Sequence, residues 1–127
     1  MTAWHWVNAS VVYAIHDRQL AEHGGLSGIR DKNAIETALA KPQQLYSYGS
    51  PDVADLVASY AYRLARHHGF MDGNKRTTWV VARLFLAING YKLGFTPIEA
   101  IRIVEALAAG SVEESQLAQW FRERLIR

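Results

Sequence analysis

The sequence predicts an all-α protein, a compact helical bundle of about six helices around a buried central helix. Three observations carry this expectation. Apolar residues recur at helical spacing along the chain, most clearly as Val53, Leu56, Val57, Tyr60, Ala61 and Leu64. Helix starts are marked by capping residues, of which Thr96-Pro97-Ile98-Glu99 is the strongest. No stretch alternates convincingly as a strand. A chain of 127 residues, half of them hydrophobic, is long enough for one core, so residues 1–127 are expected to form a single domain.

Trp4 and Trp6 alternate against His5 and are expected to cover one edge of the core. The first helix is expected over 8–23, capped by Asn8 and ended by Gly24-Gly25 in a left-handed turn. His16 falls inside it and reads first as a satisfied, partly buried histidine, with a site role as the alternative. A glycine-rich loop follows to Arg30. Asp31 caps a short helix running to Ala40, with Ile35, Ala38 and Leu39 inward, and Pro42 stops it. Residues 43–51 read as a loop or short hairpin. The 52–67 helix comes next, with His67 at its C-terminal end, where a cation is favourable.

Residues 79–88 contain one polar residue, Arg83, which predicts the buried central helix, ending at Asn89-Gly90. Arg83 lies two turns beyond Arg76, and pairing with an acid is preferred to phosphate contact. Thr96 starts a fifth helix with Ile101, Val104, Leu107 and Ala108 inward. Ser111-Val112-Glu113-Glu114 reads as a second capping box, followed by Leu117, Trp120, Phe121 and Leu125 on the inner face.

Composition excludes several classes. There is no cysteine, so disulfides, thiolate metal sites and cysteine catalysis are out. No apolar run approaches the ~20 residues of a membrane span. The start Met1-Thr2-Ala3-Trp4 lacks signal-peptide regions, so a cytoplasmic protein without membrane partners is expected. The net charge is only +2, and the cations are scattered among the acids, which argues against direct nucleic-acid binding.

The stretch from His68 to Arg76, His-Gly-Phe-Met-Asp-Gly-Asn-Lys-Arg, stands apart. Gly73-Asn74 supplies turn chemistry ahead of a helix. Lys75 and Arg76 then occupy its first turn, where cations cost about 0.3–1 kcal/mol each. Their presence makes sense if an anion such as a phosphate docks there. Asp72 is placed to hold a divalent ion bridging phosphate oxygens. His68 is a group that takes a proton near neutral pH. Phe70 is expected to point inward and pin the loop. Spacing alone is equally compatible with a polar loop carrying ordinary surface charges.

This stretch resembles the signature of the Fic/Doc family, in its Doc branch. The general pattern is His-x-Phe-x-Asp/Glu-Gly-Asn-Gly-Arg-x-x-Arg. Lys75 replaces the second glycine, and Trp79 stands where the last arginine belongs; both departures are those of the Doc branch. His16-Asp17, Gly24-Gly25-x-x-Gly28-Ile29-Arg30-Asp31, Ala38-x-x-Lys41-Pro42-Gln43 and Asn89-Gly90 are weaker matches.

The resemblance implies a compact helical core, with a small flap over residues 43–51 that pairs with a target backbone; a plain connector is the other reading of that segment. It also implies transfer of the ATP γ-phosphate to a threonine or serine hydroxyl of elongation factor Tu or another translation protein. Such a toxin would halt translation, and a small Phd-like antitoxin would restrain it. In this scheme His68 is the base, Asp72 holds Mg²⁺, Gly73 and Asn74 form the anion hole, and Lys75 and Arg76 neutralise the phosphates. The family's self-inhibitory Ser/Thr-x-x-x-Glu helix has no counterpart, since no serine or threonine is followed four residues later by glutamate.

Three rival readings remain at this stage. Transfer of a nucleoside monophosphate, as in typical Fic proteins, is the nearest. A binding module without catalysis is the second. A metal-dependent phosphohydrolase using His16-Asp17 and Asp72 is the third, although it lacks a further histidine well upstream. A P-loop fails outright, because Lys75 follows Asn74 and precedes Arg76.

Overall fold

A computed structural model describes residues 4–67 and 69–126. Among these are six α-helices: α1 (Ala9–His23), α2 (Lys32–Tyr48), α3 (Val53–His67), α4 (Asn74–Ile88), α5 (Pro97–Ala109) and α6 (Glu114–Arg124). The all-α expectation holds. Two short strands, β1 (Lys92–Leu93) and β2 (Leu125–Ile126), pair antiparallel and tie the chain after α4 to the end of α6. Two-residue strands leave no periodicity for a sequence to show.

The bundle does surround a buried helix, but that helix is α3. It packs against α2, α4, α5 and α6. Ten of its residues are buried, including Ala54, Ala58, Ala61 and Ala65, whose small side chains let neighbours approach closely. The 79–88 segment, expected to be central, is amphipathic in place. Val81, Ala82, Phe85 and Leu86 face the core, while Ile88 is 40% exposed. Apolar composition alone misjudged it, because an exposed aliphatic residue on a helix end costs little.

Tyr60 on α3 anchors the N-terminal segment. Its buried hydroxyl accepts the Val7 N–H at 3.0 Å, and burial pushes its pKa up to about 12. Trp4 and Trp6 both stack on Phe85, so the edge-covering expectation holds. Asn89 fixes the same segment by accepting from the His5 N–H and donating to the His5 carbonyl, both at 2.9 Å.

Pro42 does not stop α2. The helix runs on to Tyr48, so most of the segment expected as a loop, hairpin or flap is helical. An interior proline costs about 3 kcal/mol through its missing N–H and ring clash. Here the ring is buried, and the continuing turn brings Leu45 against the core and Tyr46 against Trp6. Helix α6 begins later than expected. Its capping box uses Glu113 and Gln116, whereas the Ser111 hydroxyl bonds back to the Ala106 carbonyl.

Candidate active site

The signature loop is fastened to the bundle by groups that have no chemistry of their own. Phe70 is buried, stacked on the His16 ring at 3.7 Å between centroids and edge-on to Tyr13. His16 Nε2 sits 2.7 Å from the Asp72 carbonyl. His16 is therefore a satisfied core histidine, as its first reading had it. The Asn74 amide folds back on Phe70: its Oδ1 accepts the Phe70 N–H at 3.1 Å, and its Nδ2 donates to the Phe70 carbonyl at 2.9 Å. The Asn74 side chain thus shapes the loop, and only its backbone N–H is left to face a ligand.

A second clamp comes from the glycine-rich loop, which pairs with the signature loop through a bridge between Ile29 and Phe70. Gly69 O accepts the N–H groups of both Arg30 (2.8 Å) and Asp31 (3.0 Å), and Gly28 O accepts Met71 N–H at 3.1 Å. A side chain at Gly69 would collide with Ile35 and lie 3.2 Å from the Asp31 carbonyl, so the residue after His68 has to be glycine.

Asp72 spans the two loops. Its carboxylate accepts Leu26 N–H at 3.2 Å and Gly73 N–H at 2.9 Å. The Leu26 hydrogen bond, then that from Gly73, holds its pKa below the ordinary value, with Arg76 and His16 adding smaller charge effects. The Gly73 amide is consumed by this contact, so Gly73 offers the site its left-handed turn (φ 77°, ψ 15°) and no free donor.

Helix α4 opens from that turn with no side-chain cap. Its first-turn amides belong to Asn74, Lys75 and Arg76, the donors a helix leaves unpaired. Lys75 and Arg76 are exposed, and neither has an acid within ion-pairing distance among the described residues. Both line a cavity of about 770 Å³ with Asp72, Gly73 and Asn74. Across it stands α5, which contributes Ile101, Val104, Glu105 and Ala108. Ile101, expected in the core, is 58% exposed and forms part of this wall.

His68, expected as the base, lies outside the described residues; its neighbours Gly69 and His67 bracket the entry to the loop. Among the described residues Arg83 pairs with no acid, and it does not line the cavity; its guanidinium lies over the Phe95 ring at 5.4 Å. Trp79 does line it, held edge-on by Phe95 and Trp120. Arg30 lines the cavity too and was not foreseen as a site residue. In the sequence it stands at the end of the glycine-rich loop, inside one of the weaker family matches.

Among the described residues no group of three His, Cys, Asp or Glu could hold a metal ion. His16, Asp17 and Asp72, the residues that the phosphohydrolase reading would use, form no such group. A Mg²⁺ ion carried by a nucleotide needs less, often one carboxylate alongside phosphate oxygens. Asp72 fits that role: its pKa is held low, it is exposed on the cavity wall, and among the described residues each oxygen accepts one N–H. No helix among the described residues is long and apolar enough to cross a membrane.

Comparison with known proteins defines the class. A profile of the Fic/DOC family matches residues 6–86, from the N-terminal segment into α4, and the chain belongs to that family. Within it, the chain falls in the Doc branch. It is similar to the protein kinase doc of Escherichia phage P1, 31% identical over 117 residues, covering 91% of this chain and 92% of that protein. It is also similar to the toxin Doc of Mycolicibacterium smegmatis (strain ATCC 700084 / mc(2)155), 42% identical over 72 residues, 55% of each chain.

Proposed function

We propose that this chain is a Doc-type toxin that transfers the γ-phosphate of ATP to a serine or threonine hydroxyl of a protein. The observation that carries the reading is the N-terminus of α4. It has no side-chain cap and bears two cations without acid partners among the described residues, and it opens on a cavity that Asp72, its pKa held low, also lines. Such an arrangement suits a polyphosphate, and phosphoryl transfer asks chiefly for positioning and charge neutralisation. The relatives named as a kinase and a toxin support the same reading.

In the proposed reaction, His68, by its place in the signature, takes the proton of the incoming hydroxyl. The hydroxyl oxygen bonds to the γ-phosphorus, the bond from that phosphorus to the bridging oxygen breaks, and ADP leaves. Lys75, Arg76 and the first amides of α4 neutralise the charge on the phosphate oxygens. Asp72 would hold Mg²⁺, which supplies further neutralisation when bound. The target is a translation factor such as elongation factor Tu, acted on in the cytoplasm, and the restraining partner is a Phd-like antitoxin.

ATP labelled on the α or the γ phosphate, incubated with the protein and cell extract, tests this. Label retained on protein from γ alone is expected. Label retained from α would establish nucleotidyl transfer instead.

A further inference from the structure

Arg30 lies on the opposite loop from Lys75 and Arg76, yet lines the same cavity. Its backbone is held in place: its N–H is bound to Gly69 O at 2.8 Å, beside the bridge that joins the glycine-rich loop to the signature loop. The neighbouring acid, Asp31, is spent on the N-terminus of α2, where its carboxylate accepts Ala34 N–H at 3.0 Å. Arg30 has no acid within ion-pairing distance among the described residues, whereas Arg18, Arg63, Arg122 and Arg124 all do.

The cavity wall therefore carries three cations, Arg30, Lys75 and Arg76, from two separate elements, against the carboxylates of Asp72 and Glu105. A surplus of positive charge on an open wall is stabilised when an anionic ligand enters. A guanidinium adds a planar fork that meets two phosphate oxygens at once. A single phosphate docked on the first turn of α4 is already served by Lys75, Arg76 and the helix amides. Arg30 gains a partner when further phosphates extend from there.

We propose that Arg30 is a specificity-determining residue that grips the polyphosphate from the side facing α4, and so favours nucleoside triphosphates over monophosphates. The inference deepens the nucleotide reading above and rests on it for the ligand's class.

The test is calorimetric titration of tripolyphosphate, a non-hydrolysable ATP analogue and AMP into the wild type, Arg30→Gln and Arg30→Lys, all at low salt. Arg30→Gln should weaken tripolyphosphate and the analogue by about tenfold or more, the loss of charge-assisted hydrogen bonds. AMP should change by less than about twofold, because it has a single phosphate to place. Arg30→Lys, which keeps the charge and loses the fork, should fall between. Matching circular dichroism spectra and melting temperatures show that the variants fold.

Wild-type affinity for tripolyphosphate in Arg30→Gln would overturn the proposal. So would equal losses for AMP and the analogue, or a wild type that takes up no tripolyphosphate. Transfer of γ-phosphate that is indifferent to Arg30 would sink this inference and leave the proposed activity standing. Arg30-dependent uptake of tripolyphosphate without any transfer would do the reverse.

Discussion

Helices α4 and α5 line the same cavity, and their N-termini are built on opposite rules. At α5, the Thr96 hydroxyl accepts Glu99 N–H, the Glu99 carboxylate accepts from Thr96, and Pro97 occupies the first turn. Arg124 then covers the Glu99 carboxylate at 2.6 Å. Every device lowers the energy of the helix end, and the Glu99 carboxylate stands where an anion would otherwise dock. At α4, a left-handed glycine takes the cap position, no side chain caps the amides, and cations sit where the dipole disfavours them. One end is closed by its own side chains; the other is left open at some cost in stability. An end of that kind is sensible where an anion completes it.

The sharpest way to break the contrast is to remove the cations. Lys75→Gln with Arg76→Gln should cut γ-phosphate transfer by about a thousandfold or more, the scale on which a phosphate-neutralising arginine acts. The same pair should leave the urea midpoint unchanged or slightly raised, because each cation costs about 0.3–1 kcal/mol at a helix start. Loss of stability together with activity would mean that the two cations support the fold.

Gly69→Ala strikes the loop that feeds the open end. The added methyl meets Ile35 and the Asp31 carbonyl, and overpacking of this kind costs about 1–3 kcal/mol. Denaturant unfolding should show that loss, and transfer should drop with it because His68 is the preceding residue. Thr96→Ala tests the closed end: about 1 kcal/mol of stability should go with the cap, while label transfer stays at the wild-type level.

A third N-terminus, at α3, gives the smallest and most specific effect. There Asp52 and Asp55 exchange bonds with each other's N–H groups, and Arg122 of α6 binds both carboxylates. The Arg122 hydrogen bond is the main reason the Asp52 pKa falls to about 2. A carboxyl with a depressed folded-state pKa stabilises fully above its ordinary value of 3.8 and loses that contribution as pH falls towards 2. The pair is half-exposed and screened, so Arg122→Gln should remove only about 0.5 kcal/mol at neutral pH. Melting curves of the variant and wild type should converge between pH 4 and about 2.

The contrast between α4 and α5 was largely legible in the sequence. Thr96-Pro97-Ile98-Glu99 announces a closed end, and Gly73-Asn74-Lys75-Arg76 an open one, because caps act over three or four consecutive residues. What lay across space was not legible. Ile101 and Val104 have the spacing of core residues, and only the course of α5 puts them on a cavity wall. Arg30 gave no sign that it would come to Lys75 and Arg76. Pro42 misled in the other direction, since its local preference to end a helix gave way to burial of its ring and packing of Leu45 against the core. The prominence of α3 over the 79–88 segment likewise depends on how many neighbours a helix has, which no window of sequence contains.

The way Asn74 doubles back on Phe70, with His16 stacked beneath, has a thermodynamic consequence. The curve of the loop is set by internal bonds, so the nucleotide binding proposed above need not recruit order from a wandering segment. Little of the ligand's affinity is then diverted into freezing the backbone, and an incoming phosphate meets a mould already cast.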